Sequence, residues 1–178
     1  MKKIADYVIK RNRKMKKIYF ILFFIMFPSS LFCIDDEYSR ATLKGLESFG
    51  LIVHVDGIEG LDETGLRADI ETRFEKSGIN VIKTEDMQSI RDAIIKVEVV
   101  GYEAFNGHYF SFGIRIEVRQ HGTFKPNGRD GFVGDVETWS LWTVGIVGKR
   151  DLKFISYSVL EYVDRFSDAY SSVNPQEQ

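Results

Sequence analysis

IIKVEVVGYEAFNGHYFSFGIRIEVR, residues 94 to 119, alternates apolar and polar side chains on both sides of an Asn-Gly dipeptide. Asn106-Gly107 is the preferred two-residue turn of a β-hairpin, because both turn positions need a positive φ that Asn and Gly tolerate. The turn predicts a register. With Phe105 facing His108, Val99 falls opposite Ile114, Val97 opposite Ile116 and Ile95 opposite Val118 on one face. The other face sets Glu98 against Arg115 and Lys96 against Glu117. Apolar meets apolar and each charge meets its opposite, an agreement that a one-residue slip would destroy. Near the tip Glu103 faces Phe110, and Gly101 is expected to permit a bulge or strong twist there.

Before the hairpin, Leu51, Val53 and Val55 alternate with Ile52, His54 and Asp56, the two-residue period of a strand. Asp62 can cap a following helix whose Leu66, Ile70 and Phe74 lie on one face, and Gly78 is placed to stop it. Ile79 to Ile82 reads as a short second strand. After the hairpin, Gln120 to Asp135, with four glycines and Pro126-Asn127, reads as a long exposed connection. Val136 to Val147 is apolar on both parities, as in a strand covered on both sides or near the sheet centre. The clearest helix comes last: Leu152, Ile155, Val159, Val163 and Phe166 recur every three or four residues, flanked by Tyr162 and Tyr170, and Asn174-Pro175 ends it. Two helices with one apolar stripe each are buried most simply on one face of a sheet. The expected fold is therefore α+β and two-layered, with a mixed, mostly antiparallel sheet of about five strands and the order β-α-β-β-β-β-α.

Residues 1 to 33 differ in kind. MKKIYFILFFIMFPSSLFC, residues 15 to 33, opens on lysines, and its ten apolar residues Ile18 to Phe27 are broken by Pro28-Ser29-Ser30. At 1.5 Å per residue the run reaches about half of a hydrocarbon core roughly 30 Å thick, so it reads as a secretory signal rather than a span. Met15 reads as the natural start of such a signal. Cleavage after Cys33 is the preferred site; Cys33 is also a candidate for lipidation, although bulky Phe32 stands where lipoprotein sites carry small residues. Retention as an uncleaved anchor is the third option. The expected organisation is a signal over 1–33, a lead-in over 34–49 containing a short helical piece near Thr42 to Phe49, one domain over 50–174, and a tail over 175–178.

Beyond residue 33 the chain holds 16 basic and 25 acidic residues, a net charge of −9. That sign gives no electrostatic reason to bind nucleic acid or an anionic bilayer, so contact with a membrane is expected only through the signal or a lipid on Cys33. With Cys33 the only cysteine, disulfides within the chain and cysteine-ligated metals are impossible. The remaining length is that of one ordinary domain, able to bury about two thirds of its unfolded surface.

No catalytic constellation stands out. His54, His108 and His121 match no zinc spacing, no cofactor is expected, and the glycine-rich connection lacks the phosphate-loop signature. His54 and Asp56, two apart on a strand, point to one side and could share a proton or a ligand; sheet surface is the ordinary meaning of such a pair. Asp130, Asp135 and Glu137 could gather Ca²⁺ but do not follow an EF-hand loop. Of the aromatics, Phe105, Tyr109, Phe110, Phe112, Trp139 and Trp142 suit stacking on a ligand. The alternation nevertheless assigns Phe110 and Phe112 to the core. It sets Tyr109 and Ser111 beside Arg115 and Glu117 on the opposite face, which makes that face the better candidate for a partner.

VETWSLW, residues 136 to 142, followed by YVDRFSDAYSSVNP, residues 162 to 175, resembles the tail of a family of short exported bacterial proteins without assigned activity. The element order is also loosely similar to the amino-terminal domain of TolB and to domains of curli-secretion lipoproteins. These resemblances imply a role in envelope assembly and carry over no functional residue. The expectation is an exported, non-enzymatic module binding an unknown envelope protein through its outer sheet face or an edge strand. The alternative is a periplasmic or secreted enzyme or small-ligand binder with its site at His54, Asp56 and the 122–135 loop.

Overall fold

The computed structural model describes residues 33–82, 93–104, 106–123 and 133–175. Among them the chain forms β1 (Cys33–Ile34), α1 (Glu37–Ala41), β2 (Phe49–Asp56), α2 (Glu63–Lys76), β3 (Val81–Ile82), β4 (Ala93–Ala104), β5 (Tyr109–Thr123), β6 (Val133–Gly148) and α3 (Lys153–Val173). The strands make one sheet in the order β1-β6-β5-β4-β2-β3. β2 runs parallel to β3 and β4, and the other pairs are antiparallel. This is the expected α+β fold with an open mixed sheet, and two-residue β1 and β3 extend its margins.

The hairpin has the register read from its turn. Val99 pairs with Ile114, Val97 with Ile116, Ile95 with Val118, Glu98 with Arg115 and Lys96 with Glu117. Asn106 and Gly107 adopt φ of 56° and 79°, the positive values this turn requires. Gly101 carries no bulge, since pairing runs unbroken through Gly101 and Phe112. Gly101 has a packing cause instead: a Cβ there would lie 2.3 Å from Ile58 Cγ1. The bulge falls on β6. Val118 pairs with Trp139 and Arg119 with Glu137, leaving Thr138 as the extra residue.

The inner face is made by Leu51 and Val53, Ile95, Val97 and Val99, Phe110, Phe112, Ile114, Ile116 and Val118, and Trp139 and Leu141, all buried. α2 adds Leu66, Ile70 and Phe74, and α3 adds Ile155, Val159, Val163 and Phe166. Phe166 meets Phe49, Phe74 and Trp139 edge-on at 5.8, 5.7 and 5.0 Å between ring centroids, so one aromatic cluster ties both helices to the sheet. Asp62 takes the N-cap position of α2 without making the side-chain bond expected of it. At the other end Gly78 adopts φ of 71°, and Ile79 N–H donates to Phe74 O at 2.9 Å while Gly78 N–H donates to Glu75 O at 3.0 Å, a Schellman stop.

The lead-in is built into the fold. Its helical piece is Glu37–Ala41 rather than Thr42 to Phe49, because the Asp36 carboxylate accepts from Ser39 N–H at 2.7 Å and starts a helix there. β1 pairs with Leu141 and Ser140 of β6, and Leu43 is fully buried. Asp35, its side chain 8% exposed, accepts from Nε and Nη2 of Arg40 at 2.7 and 2.8 Å and from the indole N–H of buried Trp139 at 3.1 Å. These donors, Arg40 foremost, hold its carboxyl below the usual carboxylate range against the opposing effect of burial. Asn174 closes the C-terminus of α3 onto the same segment, donating to Leu43 O and accepting from Gly45 N–H.

The expected long connection after Gln120 is shorter than read, because β5 continues to Thr123 and β6 begins at Val133. Two glycines of this stretch lie within strand, Gly122 paired with Gly134. β6 also departs from its expected cover. The helices pack on its inner side only, and β1 pairs with two of its residues, so Trp142, Val144 and Ile146 are 38%, 70% and 58% exposed on the outer side. Among the described residues, no helix is long and apolar enough to cross a membrane.

Candidate functional site

The outer face of the sheet is covered by no helix among the described residues, and it divides into a charged half and an apolar half. The charged half is carried by Lys96 and Glu98 on β4, Arg115, Glu117 and Arg119 on β5, and Glu137 on β6. Glu137 reaches this face because the bulge at Thr138 separates its side from that of Trp139. The opposite charges stand across from one another as the register requires, yet the ion pairs run mainly along the strands: Lys96 to Glu98 at 3.2 Å, Arg119 to Glu117 at 3.1 Å. Arg115 pairs with both Glu117 and Glu137.

Glu117 is only 2% exposed although no element lies over it, because the stems of its long neighbours close around it. Its Oε1 accepts from Arg119, and its Oε2 lies 2.9 Å from Arg115 Nε in an ion pair not aligned as a hydrogen bond. Two cations thus compensate one buried carboxylate, the condition under which burial of charge is tolerated.

The apolar half begins where β5 loses its side chain at Gly113. Gly113 lies between Val100 of β4 and Val144 of β6. Around it opens a depression of about 420 Å³ lined by Val100, Trp142, Val144, Glu98, Arg115 and Glu137 among others. Tyr102 and Ile146, opposite Ser111 on its two sides, extend the apolar surface toward the hairpin tip. The margin of β6 from Trp142 to Gly148 carries no charge and no proline. Edge strands are ordinarily blunted by such residues.

Tyr109, Ser111, Arg115 and Glu117 therefore all lie on this outer face, the first three exposed and the last enclosed. His54 and Asp56 are exposed on the same face of β2, His54 beside Glu98 and Asp56 beside Val100. Asp135 is not brought to them: it pairs with His121 at 2.9 Å near the far end of β5 and β6. Asp130 lies outside the described residues, and so do Phe105 and most of the 122–135 loop. Of Cys33 only the backbone is described, where it pairs with Leu141. Among the described residues there is no group of three or more His, Cys, Asp or Glu able to hold a metal ion. A larger hollow, about 970 Å³, lies beside α2 and the β2–β3 margin. Its Arg67 is occupied by Leu51 O at 3.1 Å and Glu71 at 3.8 Å.

Gly113, Val144 and Ile146 are not singled out by the sequence, and Trp142 only as an aromatic suited to stacking. The signal was present: Trp142, Val144 and Ile146 share one parity and face Arg115, Gly113 and Ser111. Apolar residues on both parities read as two-sided cover or a place near the sheet centre, whereas one parity is exposed.

The fold and this surface define a two-layer α+β domain with an open mixed sheet, one face of which is bare among the described residues. No protein-family model and no curated protein matches the sequence. Among solved structures it is similar to the lipoprotein GNA1162 from Neisseria meningitidis, at 12% identity over 66% of this chain and 98% of that one, with a TM-score of 0.33. At that level of similarity the neighbour's role stays its own.

Proposed function

We propose that the chain is an exported, non-enzymatic module of the cell envelope that binds a protein partner through the outer face of its sheet beside the margin of β6. The observation that supports this most is the exposure of Tyr102, Trp142, Val144 and Ile146 as one apolar surface beside an unblunted edge. Large exposed apolar residues gathered on one face favour association, and an edge strand offers backbone groups already aligned for pairing. The leader over residues 15 to 33 supports export, with Cys33 as the cleavage or lipidation point. The shallow, largely apolar form of the depression favours a macromolecular contact over a small enclosed substrate.

The test is photo-crosslinking in living cells with a benzophenone amino acid placed at Tyr102 and, as control, at Tyr157, which is 63% exposed on α3. One adduct of defined mass at Tyr102 and none at Tyr157 is expected. No adduct at Tyr102, or the same adducts at both, would contradict the reading.

A further inference from the structure

Gly113 has no structural cause of its own. Gly145 makes room for Phe112, since a Cβ there would meet the ring at 2.7 Å, and Gly101 makes room for Ile58. Gly107 supplies a positive φ. At Gly113 the backbone is ordinary strand, and a Cβ would find only Thr143 O at 3.8 Å, an unstrained contact. A glycine in an interior strand weakens pairing and leaves nothing to pack, so any β-branched residue would serve the fold better. What glycine does provide is the floor of the depression between Val100, Trp142 and Val144.

We infer that the Gly113 depression is the anchor pocket of the partner surface, receiving one large apolar side chain from a cationic segment of the partner. This rests on the partner-binding reading above. The walls are apolar, which suits a branched or aromatic side chain, and the surrounding Tyr102, Val144 and Ile146 give its neighbours a surface to lie on. Charge selects the occupant. The chain beyond residue 33 carries −9, so a second copy would be repelled and a basic segment attracted. Glu98 and Glu137 stand at the rim, one beside Lys96 and the other beside Arg115, where a partner lysine or arginine can share them.

The experiment uses the protein recovered from the envelope of expressing cells and three synthetic peptides: Lys-Val-Lys-Trp-Lys-Val-Lys, the same with Ala for Trp, and Glu-Val-Glu-Trp-Glu-Val-Glu. The basic Trp peptide is expected to bind at least tenfold more tightly than either other. Gly113→Val is expected to weaken it at least tenfold while leaving the melting temperature equal or higher, which separates loss of the pocket from loss of the fold. Undiminished binding by Gly113→Val, or equal binding of the acidic peptide, would overturn the inference. The Tyr102 crosslink is then repeated in Gly113→Val. A lost adduct supports the pocket, a persisting one overturns the pocket while partner binding stands, and its absence from both forms overturns both.

Discussion

Asp35 shows how one residue ties the start of the described chain to the core. Its carboxylate bridges Arg40 and the indole of Trp139, a side chain with no exposed surface. Asp35→Ala would strand that N–H in the interior, at a cost of about 1–3 kcal/mol. The pH dependence follows from the sign of the shift. The folded pKa lies below the unfolded value, so the contribution is whole above about pH 4 and is lost as pH falls through the folded value. Thermal melts of the natural chain and Asp35→Ala should therefore differ by a constant amount from pH 7 down to about 4 and converge at lower pH. A gap that widens on acidification would contradict this assignment. None of it was legible beforehand, because a charged lead-in reads alike whether its acids face water or an indole 104 residues away.

At the scale of elements, the β5–β6 pair does most to shape the site. The bulge at Thr138 puts Trp139 among the helices and Glu137 on the outer face. Deleting Thr138 would close the bulge and leave Glu137 outside by plain alternation, while removing the hydroxyl that accepts from Gln120 at 2.9 Å. The expected result is a loss of about 0.5–1.5 kcal/mol, that of one hydrogen bond, measured by urea unfolding. A loss of several kcal/mol would mean that the bulge itself, rather than its polar contact, holds the strand. The hairpin of β4 and β5 was readable to the residue because turn, polarity and charge all fixed one register. β6 was not. Its composition is the same whether both faces are covered or one is bare, and only the position of the helices, both on the inner face, tells the two apart. Glycine was ambiguous for a related reason: Gly101, Gly113 and Gly145 look alike in sequence, and what a Cβ would touch distinguishes them.

In the whole molecule, helices back one face of the sheet and, among the described residues, none covers the other. The charge of −9 beyond residue 33 disfavours contact between copies of that part of the chain and favours the basic partner segment proposed above. The α+β class and element order were expected from the sequence, and the outer face of β5 was singled out there too. The depression at Gly113 was not, since it depends on three strands lying side by side. Because the natural chain has a single cysteine, at residue 33, the central claim can be read by thiol labelling. Val144→Cys, Ile146→Cys and, as control, Tyr157→Cys would be exposed to a membrane-permeant maleimide in intact cells and again after purification. Protection of residues 144 and 146 in cells, their rapid labelling once purified, and equal labelling of residue 157 in both settings is the predicted result; equally fast labelling of all three in cells would contradict a covered outer face.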